Sequence, residues 1–76
     1  MRDPKRLANI YVEICLLHQE FLPDIRFGQA MCNFSEWLRN VCKLDWYYIE
    51  DDRIISLFKK HLIEVYEVKN EKLQQR

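Results

Sequence analysis

Residues 45–62 read DWYYIEDDRIISLFKKHL, and this stretch decides the fold. Trp46, Tyr47 and Tyr48 lead into the acidic residues Glu50, Asp51 and Asp52. Ile54, Leu57, Phe58, His61 and Leu62 then recur at three- and four-residue steps. That period lines apolar side chains along one side of an α-helix. Acidic residues in a first turn complement the positive end of the helix dipole and accept from its free backbone N–H groups. The pattern predicts a helix from about Asp51, preceded by an aromatic plug. Val65 and Val68 continue its apolar arc, with Ser56, Lys59, Lys60, Ile63 and Glu67 opposite. From residue 70 the sequence NEKLQQR reads as a polar tail expected to fray.

Two more helices precede this one. Asp3 suits a cap and Pro4 a first helical position, where its missing N–H leaves no bond unmade. Leu7, Ile10, Tyr11, Ile14, Leu17 and Phe21 form a helical stripe that includes His18. Val12 and Leu16 fall on the far side, among Asn9, Glu13 and Glu20, where a core-facing helix is normally polar. Pro23 ends this helix, and the second starts between Asp24 and Phe27. Its stripe is Phe27, Ala30, Met31, Phe34, Trp37, Leu38 and Val41, and its polar face is Gln29, Asn33, Glu36 and Asn40. Gly28, the single glycine, is either a loose helix start or a point of close approach. Residues 43–49 are too short for a strand pair and read as a loop laying Trp46, Tyr48 or both over the helices. The expectation is an all-α, compact three-helix domain, possibly four-helical with a short extra turn.

A chain of 76 residues is a single domain. At 49% hydrophobic it can pack a core, but ordering each residue costs roughly 1.5 kcal/mol, so the margin is thin unless packing is good or a partner helps. Twelve basic and twelve acidic residues cancel and are spread along the chain. That argues against a dedicated nucleic-acid binder, which concentrates positive charge on one face. Arg2, Lys5 and Arg6 are a weak basic cluster, read as a solvated helix start. The absence of a long apolar run or a signal-peptide pattern predicts a cytoplasmic protein that does not cross a membrane.

Catalytic and metal chemistry find little support. Asp45, Glu50, Asp51 and Asp52 lack calcium-loop spacing, and consecutive helical residues point about 100° apart. Capping is the simpler role, with Arg26 the preferred basic partner of the acidic cluster. His18 and His61 lie on apolar arcs and read as packed residues with one hydrogen-bonded nitrogen each. Cys15 precedes His18 by three residues, but nothing supplies an orienting group or an oxyanion pocket. Cys15, Cys32 and Cys42 show no metal-ligand spacing. Cys32 and Cys42 stand roughly 15 Å apart along one helix and cannot bridge. Pairing of Cys15 with either stays open, as does a redox role, though buried free thiols are commoner. No cofactor, metal or catalytic residue is expected.

The stretches DPKRLANI (3–10), PDIRFGQ (23–29) and DWYYIEDD (45–52) together resemble a family of short helical proteins from Firmicutes bacteria, their phages and mobile elements. The resemblance spans nearly the whole chain. It implies a compact helical fold and a bacterial or phage setting, and brings no catalytic residues and no established activity.

The functional expectation is a non-enzymatic module that binds another protein or forms a homodimer. Val12 and Leu16, with Ala8 and Cys15 at their edge, and Arg26, Gln29, Glu50, Asp51 and Asp52 are the candidate contact residues. Ile63 is a similar outward apolar position on the third helix. Two alternatives are an accessory inhibitor of a host or defence protein and a small nucleic-acid-associated regulator.

Overall fold

A computed structural model describes residues 3–74. Four helices follow in order: α1 (Lys5–Phe21), α2 (Phe27–Asn40), α3 (Asp51–Tyr66) and α4 (Asn70–Gln74). A single 3-10 turn, Trp46–Tyr48, lies between α2 and α3, and no strand occurs among the described residues. The chain is a small all-α domain.

Local chemistry sets each boundary. Asp3 accepts the Lys5 N–H on Oδ1 at 2.9 Å, and its carbonyl accepts the Arg6 N–H, so Asp3 caps α1 across Pro4. The far end of α1 closes when the Leu22 N–H donates to the His18 carbonyl. The His18 ring then reaches forward to the Ile25 carbonyl at 2.6 Å, which requires the proton on Nε2. One histidine thus ties the end of α1 to the connection that leads into α2. Asp45 plays the capping part for the 3-10 turn, accepting the Tyr47 N–H.

Helices α2 and α3 both end without glycine. Lys43 and Glu67 take the left-handed conformation, at φ 58° and φ 59°. The next residues, Leu44 and Val68, donate back to the Leu38 and Leu62 carbonyls and pack against the core. An apolar residue after a left-handed turn is the usual accompaniment of such a helix end. Here a charged side chain carries the strain that glycine would avoid.

The core is centred on α3. Leu57, Phe58, His61 and Leu62 are buried on it, facing Ala30, Phe34, Trp37 and Leu38 of α2 and Leu17 of α1. Helix α3 packs against both α1 and α2. The Arg6 guanidinium meets the Asp51 carboxylate at 2.5 Å, joining the first turn of α1 to the first turn of α3. Both partners are about one-third exposed, so the pair sets position more than it adds stability.

Several expectations are corrected. Arg6 takes the acidic partner, while Arg26 is exposed at the N-cap of α2 and makes no ion pair among the described residues. Residues 70–74 of the expected tail form α4 and bury Leu73, which is 4% exposed; 75–76 lie outside the described residues. Because the chain folds back there, Ile63 packs against the core instead of facing outward. Of the two aromatics expected over the helices, Trp46 takes that place and Tyr48 is exposed. Nothing comes within 4 Å of a Cβ placed on Gly28, so it marks an open helix start.

Leu73→Ala should cost about 2 kcal/mol, the low end for a buried leucine, because α4 is short and terminal. An unchanged thermal midpoint would show that α4 does not dock. Glu67→Gly should raise the midpoint by a few degrees by relieving the positive φ, as about 1 kcal/mol does in a domain of this size.

Candidate protein-docking groove

Sharing α3 leaves α1 and α2 splayed, joined through the short connection 22–26. The apolar stripes of both helices are wider than the surface α3 can cover. Their excess lines an open cleft. Leu7, Ile10, Tyr11 and Ile14 of α1 face Phe27, Met31 and Phe34 of α2 across a cavity of about 440 Å³, closed at one end by Trp46, Asp51 and Ile54. A second cavity, about 560 Å³, continues past Tyr11, Ile14 and Phe27 to Cys15, His18, Gln19 and Pro23. Tyr11, Ile14 and Phe27 belong to both, so the two form one groove divided by a ridge.

The large side chains on this groove are open to solvent. Tyr11 is 74% exposed, Phe27 66%, and Leu7 and Trp46 41% each. Leu7, Tyr11 and Phe27 were expected in the core stripes, and the structure corrects that: α3 is too narrow to bury them. Phe27 keeps a ring contact with His18 at 6.5 Å, and Trp46 stands edge-on to Phe34 at 5.8 Å. The groove therefore has a firm floor and aromatic walls held by few contacts. Its charged border is the closed Arg6–Asp51 pair, which offers a ligand little net charge.

Behind the floor lies His61, fully buried against Phe34, Trp37, Phe58 and Tyr66 at ring separations of 5.2–6.0 Å. Neither nitrogen has a hydrogen-bond partner, unlike the single bond expected. Burial alone holds its pKa down at about 4, so the ring is neutral near pH 7.

The expected contact residues are scattered. Val12 and Leu16 are exposed on the outer side of α1, roughly 100–140° around the helix from Tyr11. Arg26 and Gln29 are exposed at the start of α2, next to Phe27. Asp51 and Asp52 open α3 after Glu50, and Asp51 lines the groove while bonded to Arg6. Cys15 and Cys32 are exposed, Cys42 is half-buried, and all three are free thiols. Among the described residues no three of His, Cys, Asp and Glu gather at a metal-holding spacing, and no helix is long and apolar enough to cross a membrane. The groove residues escaped the sequence reading because helical period shows which residues share a face, not whether a neighbour covers it. Large aromatics on the two stripes, Tyr11 within α1 and Phe27 at the start of α2, were the available signal.

Comparison of the chain with protein-family models, with curated proteins and with solved structures finds no match.

His61 makes stability pH-dependent in a defined direction. Its folded pKa of about 4 lies below the model-peptide value of 6.5, so the unfolded chain binds more protons between these values. The contribution is complete above about pH 6.5 and is lost as pH falls toward 4, amounting to about 3 kcal/mol. Denaturant melts of wild type and His61→Phe at pH 7 and pH 4 should show the variant losing less stability by about that amount. Equal losses would overturn this assignment.

Proposed function

We propose that this protein is a non-enzymatic docking module that receives an apolar helical segment of a partner protein in the α1–α2 groove. One observation carries the reading: Leu7, Tyr11, Phe27 and Trp46 converge on a single cavity yet remain 41–74% exposed. Contiguous exposed apolar surface is unfavourable in water, at roughly 25 cal/mol per Å² left uncovered, and commonly marks a contact site. Tyrosine, tryptophan and phenylalanine concentrate at the centres of protein interfaces, because each buries a large area for two restricted torsions. A cleft between two helices suits the apolar face of a third, presented at positions i, i+3 or i+4, and i+7. The near-neutral border asks for no strong charge on the buried face of that segment.

The test uses wild type, Phe27→Glu and Leu16→Glu, the last as a control outside the groove. Phe27 is exposed, so Phe27→Glu should keep the helical circular dichroism and change stability by no more than about 0.5 kcal/mol. It should weaken enhancement of anilinonaphthalene sulfonate fluorescence and abolish capture of proteins that both wild type and Leu16→Glu retain. Equal capture by all three would remove the groove from the interaction. Unfolding of Phe27→Glu would show that Phe27 belongs to the core.

A further inference from the structure

Helix α1 carries a second apolar face, on its outer side, that shares with the groove only Cys15 at its edge. Ala8, Val12, Cys15 and Leu16 lie within roughly 100° of arc on its outer side, and all four are exposed, Val12 by 52% and Leu16 by 40%. Lys5 borders this face at the amino end and Gln19 and Glu20 at the carboxyl end, all exposed.

We propose that a second copy of the chain covers this face, the two α1 helices running antiparallel about a two-fold axis at Val12. The order of the residues is what selects this occupant. Antiparallel pairing about Val12 sets small Ala8 against the partner's Leu16, and Val12 against the partner's Val12. Large thus meets small on both sides of the axis, as close packing requires. The same register brings Lys5 beside the partner's Glu20 at each end, opposite charges at both rims. Glu20 already has a contact within its own chain, and a carboxylate has oxygen lone pairs for more than one donor. Parallel pairing would instead stack Lys5 on the partner's Lys5 and Glu20 on the partner's Glu20. A symmetric antiparallel contact is also the self-complementary arrangement of a two-fold dimer, and it aligns the two helix dipoles favourably. Each protomer would keep its groove free, so the dimer would present two docking sites.

Sedimentation of the full chain under reducing conditions, from about 1 μM to 1 mM, reads the equilibrium. Leu16→Glu should raise the dimer dissociation constant by roughly 30-fold or more, the effect of losing a central interface residue. Lys5→Glu should raise it several-fold, and adding Glu20→Lys should restore it. Both changes favour the α1 dipole, and circular dichroism of each variant checks that losing the intrachain contact of Glu20 leaves the fold intact. With Cys15, Cys32 and Cys42 replaced by serine, Val12→Cys should form a disulfide-linked dimer under mild oxidation, because Val12 is the residue that the antiparallel register sets against its own copy. A monomer throughout the range overturns the proposal. A dimer that Phe27→Glu dissociates and Leu16→Glu does not would place the second copy in the groove, and also overturns it. A dimer without the Val12→Cys crosslink overturns the antiparallel register.

Discussion

Phe34 and Phe58 meet edge to face, 5.0 Å apart, in the seam between α2 and α3. Both rings are fully buried, and the remaining packing is arranged around that contact. His61 leans on both rings, Trp37 lies against Phe34 and His61, and Tyr66 closes the box from the end of α3. Asn33 then fixes Tyr66 by donating to its hydroxyl. Edge-to-face pairs add roughly 0.5–1.5 kcal/mol each beyond the area they bury. In a chain of this length, where the net margin is small, one such cluster decides whether α2 holds its place on α3. Helix α1 depends less on aromatic contacts. It rests on α3 through Leu17 and neighbouring aliphatics and is anchored at its ends by Arg6 and His18.

This division of labour explains why the groove exists. A small domain buries a smaller share of its surface than a large one, and this sequence carries more apolar side chains than one central helix can shield. The surplus is not spread at random. On α2 the well-packed half of the stripe runs from Ala30 to Leu38, while Phe27 and Val41 at its ends are exposed. On α1 Leu7 and Tyr11 are exposed, whereas Leu17 has no exposed surface. The exposed amino-terminal ends of both stripes, Leu7 and Tyr11 on α1 and Phe27 on α2, line the same cleft, whereas Val41 lies outside it; Trp46 is brought to the rim by the Asp45-capped turn.

Much of the architecture was legible from local chemistry. Asp3–Pro4, Pro23 and the acidic run before Ile54 marked the starts of three helices and the end of the first, because capping and proline effects act within a few residues. Fine placement was less accessible. The helix ends at Lys43 and Glu67 lack the glycine that normally signals a left-handed residue, and only the aliphatic residue after each hints at the turn. Leu73 looked like one apolar residue in a polar tail, and its burial depends on where α3 leaves the chain in space. By sequence Arg26 was the preferred partner of the acidic cluster, and Arg6 takes that place instead. The choice followed from α1, not the start of α2, crossing the first turn of α3. For the candidate site, the outward positions of Val12 and Leu16 followed directly from helical period. The groove did not, since it depends on the separation of two helices.

Phe34 links the groove to the stability of the whole domain. One part of its ring lines the groove floor, and the rest packs on Phe58 and the unpaired ring of His61. Leaving both imidazole nitrogens without partners costs the fold about 1–3 kcal/mol. A segment seated on the floor would remove water from Trp46, which stands edge-on against Phe34, and press it onto that ring. Any ligand that binds only the folded state stabilises it in proportion to the logarithm of its concentration. Occupation of the groove and tightening of the aromatic box are thus coupled through a shared side chain. The proposed dimer contact lies on the opposite side of α1 and does not touch that side chain. The groove therefore acts on stability from within the aromatic cluster, while the outer face of α1 acts from outside it.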